Sequence, residues 1–245
     1  RVIHKKNEIP VQKKFELKNI LKQLLEHCPI QYVLHEAWFM GMKLYVDENV
    51  LIPRPETEEL VEWLLAEWNN TYNKKISVLD VGTGSGCIPI ALKKKMPLCE
   101  ISGCDVSKGA LGVAQRNISN QNVSVRLFEL DFLDPSQRNS LPSFDSIISN
   151  PPYIPKKDID TLEKHVSDFE PHLALFVPDS DPTVFYSAIR EFSSTHLNPG
   201  GNIYLELHED LSEQVLRLFR QTGFSAPLLK KDIHGKNRML KVTKI

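Results

Sequence analysis

The chain has no C-x-x-C pair and no His/Cys cluster at zinc spacing, and its four cysteines, Cys28, Cys87, Cys99 and Cys104, stand apart. This speaks against a disulfide framework or a zinc site, and reduced thiols in a cytoplasmic protein are the simplest account. No apolar run approaches the length of a membrane span and no signal peptide is visible, so nothing points to a membrane or to secretion. Excess charge is missing as well. Thirty basic residues face 31 acidic ones, for a net charge of −1, which argues against polyanion binding as the main activity. Neither an internal repeat nor a low-complexity segment interrupts the chain. What remains is ordinary globular composition, 41% hydrophobic and 25% charged over 245 residues, enough for one sizeable core with a small appendage. Because it opens on Arg1 and not on methionine, part of the natural N-terminus is expected upstream.

Residues 12–27 place Phe15, Leu17, Ile20, Leu21, Leu24 and Leu25 near helical spacing with lysines opposite, which predicts an amphipathic helix. One such helix has no core of its own, so it is expected to dock or to belong to a bundle cut off upstream. Between 29 and 51, short apolar and aromatic patches flank Gly41, the pattern of a β-hairpin. Then "LIPRPETEELVEWLL" passes from two prolines into a helix, with Thr57 as the expected N-cap and Glu58 and Glu59 at its positive end. Beyond residue 75, strand candidates at 76–81, 100–105, 123–127, 144–149 and 202–207 alternate with helical stretches at 87–95, 108–119, 182–196 and 210–222. That alternation predicts a doubly wound α/β sheet. The tail adds two strand candidates about Gly235 that close the sheet as an antiparallel pair.

"VLDVGTGSGCIPIAL" is a buried strand, a glycine loop and a helix. Gly82, Gly84 and Gly86 allow backbone angles that side chains forbid and let a ligand approach the main chain, while the following helix offers free N–H groups. A tight turn with no ligand is the plainer alternative. The spacing G-x-G-x-G differs from the dinucleotide fingerprint, and the Gly-Lys-Ser/Thr ending of a P-loop is absent. Asp80 precedes the loop, and Asp105 ends the next strand, where it can accept hydrogen bonds from two ribose hydroxyls. Together these features resemble the S-adenosylmethionine site of Rossmann-like methyltransferases. The resemblance implies that the loop Gly82, Thr83, Gly84, Ser85, Gly86 holds the methionine end with Asp80 near its cationic groups. It also implies that Asp131 and Phe132 of "LDF" hydrogen-bond and sandwich the adenine.

A second site follows the buried run "FDSII" as "SNPPY". Prolines fix their own backbone angle, lack an N–H and push the preceding residue into an extended shape. Asn150, Pro151 and Pro152 therefore form a stiff rim at the carboxyl edge of the sheet, where such folds bind ligands. The Asn150 side-chain carbonyl and the Pro151 main-chain carbonyl can converge on one spot and accept two hydrogen bonds from a planar –NH2 group, with the Tyr153 ring as a face beside it. An amide or aromatic amine nitrogen is a poor nucleophile, so holding both N–H bonds aims it and stabilises the charge that develops on it. Two substrate classes fit: a side-chain amide in protein, or the exocyclic amine of a nucleic-acid base.

The segments "PIQYVL", "LIPRPETEELVEWLL", "DVGTGSGCIPIAL", "SNPPYIP", "FEPHLAL" and "DIHGKNR" appear in this order from residue 29 to the end, and each resembles a segment of the HemK/PrmC family, the release factor N5-glutamine methyltransferases. The resemblance implies a class I fold: a seven-stranded, mostly parallel sheet with an antiparallel C-terminal strand over 53–245. Ahead of it would stand a β-hairpin linker at 29–52 and, at 1–28, the remnant of a helical substrate-docking domain. It implies methylation of the glutamine in the Gly-Gly-Gln motif of a peptide chain release factor. Gly82 to Gly86, Asp105, Asp131, Phe132 and Asn150 would bind S-adenosylmethionine, and Asn150, Pro151, Pro152 and Tyr153 the glutamine amide. The chain is expected to be a cytoplasmic monomer with no nucleic-acid target. It departs from the family at His35, where glycine is usual, at Phe132, where tryptophan is common, and in "VPDSDP", which is poor in glycine. Glu56, Glu58, Glu170 and Glu206 receive no assigned chemistry.

The rival enzyme is an N6-adenine methyltransferase acting on DNA or RNA, which uses the same Asn-Pro-Pro-Tyr logic. It calls for a flipped base and a basic groove, and Lys93–Lys95 and Lys230–Lys231 are only short charge runs. A non-catalytic cofactor-binding scaffold is the third reading, and paired amine acceptors have no use in one.

Overall fold

The computed structural model describes residues 10–68, 75–220 and 223–245. Apolar strands and amphipathic helices alternate along most of it, and the central strands are buried on both faces while the sheet's edges stay partly exposed. In chain order, β3 (Ser77–Val81), β4 (Glu100–Asp105), β5 (Arg126–Glu129), β6 (Phe144–Ser149), β9 (Leu197–Glu206), β10 (Leu228–Lys231) and β11 (Asn237–Thr243) form one seven-stranded sheet of order β10-β11-β9-β6-β3-β4-β5. All neighbours from β9 to β5 pair parallel, and β11 runs antiparallel to both β9 and β10. Strand order reverses at β3, which is where open α/β sheets place their ligands.

Helices cover both faces. On one lie α3 (Pro55–Glu67) and α4 (Cys87–Lys95), whose Leu60, Leu64, Ile90 and Leu92 pack with Val78, Ile148 and Tyr204. The other is covered by α9 (Val184–His196) and α10 (Ser212–Phe219), with Tyr186, Phe192 and Phe219 against Leu79, Ile147 and Leu205. Next to β4 and β5 runs α5 (Lys108–Gln121), ended by Asn122 in the left-handed conformation. That cap moves β5 to Arg126–Glu129 from the expected 123–127, since Val123 and Val125 are used in packing before the ladder begins.

At the N-terminal end, α1 (Val11–Leu25) forms as its spacing predicts, but none of its side chains is buried, and Phe15, Leu17, Leu21 and Leu25 stay exposed. The expectation that this helix docks does not hold among the described residues, and the first nine residues of the predicted 1–28 remnant lie outside them. The segment 29–51 is only partly a hairpin. Its first residues form the short helix α2 (Ile30–Leu34), and the hairpin is confined to β1 (Ala37–Phe39) and β2 (Met42–Leu44). His35 ends α2 at φ 53°, a conformation glycine adopts without strain. Stacking on Tyr45 at 5.3 Å and an Nδ1 contact of 3.2 Å to the Val46 carbonyl hold the histidine in place.

Between β6 and β9 the chain makes an excursion through β7 (Ile154–Pro155), α7 (Lys164–Ser167), α8 (His172–Leu175) and β8 (Phe176–Val177), closed where β7 pairs with β8. Another short helix, α6 (Pro135–Arg138), precedes β6. The helix predicted at 210–222 opens as a 3-10 turn, continues as α10 to Phe219, and its last two residues lie outside the described set.

Candidate active site

The ends of four strands, β3, β4, β5 and β6, converge on the site. After β3 the chain turns over the end of β4, with the N–H groups of Gly82 and Thr83 both donating to the Cys104 carbonyl at 2.9 and 3.0 Å. Gly82 and Gly84 have φ of 75° and 51°, and a Cβ on either would meet nothing within 4 Å, so their backbone borders open space. They line a cavity of about 250 Å³ together with Asp105, Asp131, Phe132 and Asn150. Thr83, Ser85 and Gly86 do not line it. Thr83 and Ser85 alternate with Gly82 and Gly84 and are buried beneath the loop, Thr83 against Gly103, while Gly86 already caps α4 and packs against Ala114.

Asp105 holds this loop as well as facing the cavity. Its Oδ2 accepts from Gly84 N and its Oδ1 from Ser107 N, both at 2.9 Å. Burial pushes its pKa up, opposed by the main-chain N–H groups of Ser107, Gly84 and Val106. Asp80 is fully buried, and neither of its carboxylate oxygens has a hydrogen-bond partner among the described residues. Burial raises it to about 7, with the nearby Thr83 hydroxyl opposing and the charge of Asp105 adding. Glu206 is raised to about 7 in the same way.

These shifts fix a sign. A carboxyl whose pKa rises on folding binds its proton more tightly in the folded chain, so its contribution is full below the ordinary carboxylate range and is lost as pH rises through the folded value. Stability to urea is therefore expected to fall between about pH 4 and about pH 7, by at least the roughly 1.4 kcal/mol that one pKa unit is worth. Asp80→Asn flattens that slope; a variant with the wild-type slope would show that Asp80 does not set it.

Gly103 in β4 was not singled out from the sequence, although a glycine inside a strand signals a close approach. A Cβ there would stand 2.6 Å from Thr83 Oγ1 and 2.9 Å from Thr83 Cβ. Gly103→Ala displaces the loop, with an expected loss of about 1–3 kcal/mol in cofactor affinity or stability, the usual range for overpacking. Titration calorimetry with S-adenosylhomocysteine and urea unfolding check it.

The ladder of β6 against β9 ends at Ser149↔Leu205, and Asn150 and Pro151 follow. Both line the first cavity and also a second one, of about 420 Å³, which is bounded by Arg54, Tyr153 and residues of the excursion such as His165. Asn150 Nδ2 donates to Thr57 Oγ1 at 3.0 Å, and the Thr57 hydroxyl donates to Glu206 Oε2 at 2.6 Å. Asn150 Oδ1 accepts no hydrogen bond from a described residue. Tyr153 directs its hydroxyl to Glu206 Oε1 at 3.4 Å. Thr57 is thus not the N-cap that its position suggested: Arg54 is, with Pro55 at the first helical position, and Thr57 sits buried one residue past Glu56. Glu58 Oε1 accepts from Met40 N at 2.7 Å and secures the hairpin to α3. Phe132 is buried, with its ring 5.3 Å edge-on from Phe192, and Asp131 Oδ1 accepts from Leu133 N at 2.8 Å.

Residues 57–172 match the Methyltransferase small domain family. A release factor glutamine methyltransferase of Flavobacterium psychrophilum is 43% identical over 91% of this chain and 78% of its own length, and one of Streptococcus pneumoniae is 42% identical over 92% and 78%. The chain belongs to the release factor glutamine methyltransferase family. Among solved structures, a methyltransferase from Pyrococcus furiosus superposes with a TM-score of 0.60 at 20% identity, covering 93% of this chain and 98% of that one. The hMettl16 catalytic domain in complex with MAT2A 3'UTR hairpin 6 reaches 0.65 at 15% identity, covering 83% and 75%. At such identities these two show the fold alone.

S-adenosylmethionine is the cofactor of this methyltransferase, and the first cavity fits it. Bare backbone at Gly82 and Gly84, a carboxylate at the β4 end and the Phe132 ring supply a main-chain cradle, a polar acceptor and an apolar wall. Of the residues expected at the cofactor from sequence, Gly82, Gly84, Asp105, Asp131, Phe132 and Asn150 come together there. No helix among the described residues is long and apolar enough to cross a membrane.

Proposed function

We propose that this enzyme methylates the side-chain amide nitrogen of the glutamine in the Gly-Gly-Gln motif of a peptide chain release factor, in the cytoplasm and as a monomer. One observation carries the reading: Asn150 and Pro151 stand on the wall shared by two cavities, one suited to the methyl donor and the other open to a side chain from outside. The cofactor supplies an electrophilic methyl group on a sulfonium sulfur. The amide nitrogen takes that methyl as its bond to sulfur breaks and gives up one N–H proton to water, and the protein's share is positioning. Asn150 Oδ1 and the Pro151 carbonyl accept the two N–H bonds of the carboxamide, aim its nitrogen and stabilise the positive charge growing there. Pro152 keeps that rim rigid and Tyr153 gives the amide plane a face. Thr83, Ser85 and Gly86 act from below by holding the loop that bears Gly82 and Gly84.

The exposed apolar residues of α1 fit the remnant of a substrate-docking domain. The test is transfer of labelled methyl to a release factor, to its Gln→Ala version and to duplex DNA. Label on the wild-type factor alone supports the reading. Label on DNA with none on the factor overturns it in favour of a base amine.

A further inference from the structure

We propose that Thr57 and Glu206 are positioning residues: through the Thr57 hydroxyl, the Glu206 carboxylate decides which end of the Asn150 side-chain amide faces the substrate. The inference rests on Asn150 holding the substrate amide and adds what orients Asn150 itself. A hydroxyl has one proton and two lone pairs, and an ionised carboxylate only accepts. With Thr57 Oγ1 at 2.6 Å from Glu206 Oε2, that proton is committed to the carboxylate. Only lone pairs remain toward Asn150, 3.0 Å away, and only the NH2 end of an amide can meet a lone pair. Oδ1 is thereby turned outward, where it can accept from the substrate. Glu206 also receives the Tyr153 hydroxyl on its other oxygen, so one buried carboxylate braces both ends of the Asn-Pro-Pro-Tyr segment.

A neutral Glu206 would lose this direction. It could donate to Thr57, whose proton would then serve Asn150 Oδ1, and the NH2 end would face the substrate's own NH2. Burial brings Glu206 to about 7, with the Thr57 hydroxyl, the Arg238 charge from β11 and the Tyr153 hydroxyl lowering it and Glu56 from α3 raising it. From α9, Tyr186 donates to the Glu206 main-chain carbonyl.

The test compares wild type, Thr57→Val, Thr57→Ser and Glu206→Gln in methyl transfer to a release factor, with S-adenosylhomocysteine affinity measured beside it. Thr57→Val, of equal shape but without the hydroxyl, is expected to lower kcat by about 10²-fold, the scale of a misplaced reacting group, with KM and cofactor affinity near wild type. Thr57→Ser restores kcat. Wild-type kcat falls as pH drops through about 7, and Glu206→Gln removes that limb. Thr57→Val turning over like wild type, or a limb that survives in Glu206→Gln, overturns the relay while leaving the methyltransferase reading intact. The wild-type pH profile needs no variant to fold, and a flat one also overturns it. A wild type that labels no release factor strikes both readings at once.

Discussion

Asn150→Ala is expected to lower kcat for release-factor methylation by about 10²–10³-fold, the loss typical when one preorganised polar group is removed from the developing charge. Cofactor affinity should stay close to wild type, because Gly82, Gly84, Asp105 and Phe132 also line the first cavity and remain in place. Steady-state kinetics with calorimetric binding separates the two effects. A rise in KM with kcat unchanged would mean that Asn150 only binds the amide in its ground state. Wild-type turnover would mean that the two carbonyls do not grip the amide at all. Asn150→Asp is the sharper companion. It keeps an acceptor toward the substrate but removes the NH2 that the Thr57 lone pairs hold, and it adds a charge 3.0 Å from a hydroxyl already committed to Glu206. Activity should fall here too, although the acceptor atom survives.

The parts of this site legible in the sequence were those built from neighbours along the chain. Gly82 and Gly84 announce bare backbone after a buried strand, Asp105 ends the next strand, and Asn150 with two prolines stiffens the end of a third. Spacing and residue type are enough for each, because a strand end has only one place to go in a doubly wound sheet. Thr57 shows where that logic stops. A threonine two residues into a proline-led helix reads as a cap, yet its hydroxyl is used across 149 positions, on Glu206. Periodicity has no access to such a pairing, and Glu206 itself looks like an ordinary strand residue until β9 is laid beside β11 and α3. Gly103 was legible in principle and passed over. The hairpin was overextended for a local reason: "PIQYVL" carries aromatic and β-branched residues that suit a strand, while Pro29 at its start and a left-handed His35 after it close a single helical turn.

Arg54→Ala is expected to destabilise the fold by about 3 kcal/mol, the low end of what breaking a buried ion pair costs. Glu170 has no exposed side-chain surface, while Arg54 keeps about a third of its own, 32%, so some solvent reaches the pair and softens the loss. The Glu170 carboxylate takes the Arg54 guanidinium on Oε1 and the Ile52 main-chain N–H on Oε2 at 3.1 Å. It thus ties the segment before α3 to the turn between α7 and α8, two stretches 116 positions apart that both lie beside the second cavity. Removing the arginine leaves a buried carboxylate with one neutral donor. Removing the charge as well should restore much of the stability: in Arg54→Ala/Glu170→Gln the side chain can still accept from Ile52 N and leaves no ion uncompensated. Urea unfolding of both variants decides the matter. A single variant as stable as wild type would show that water already satisfies Glu170. A double variant no better than the single one would show that removing the charge on Glu170 does not relieve the loss, so that an uncompensated ion is not what makes Arg54→Ala costly.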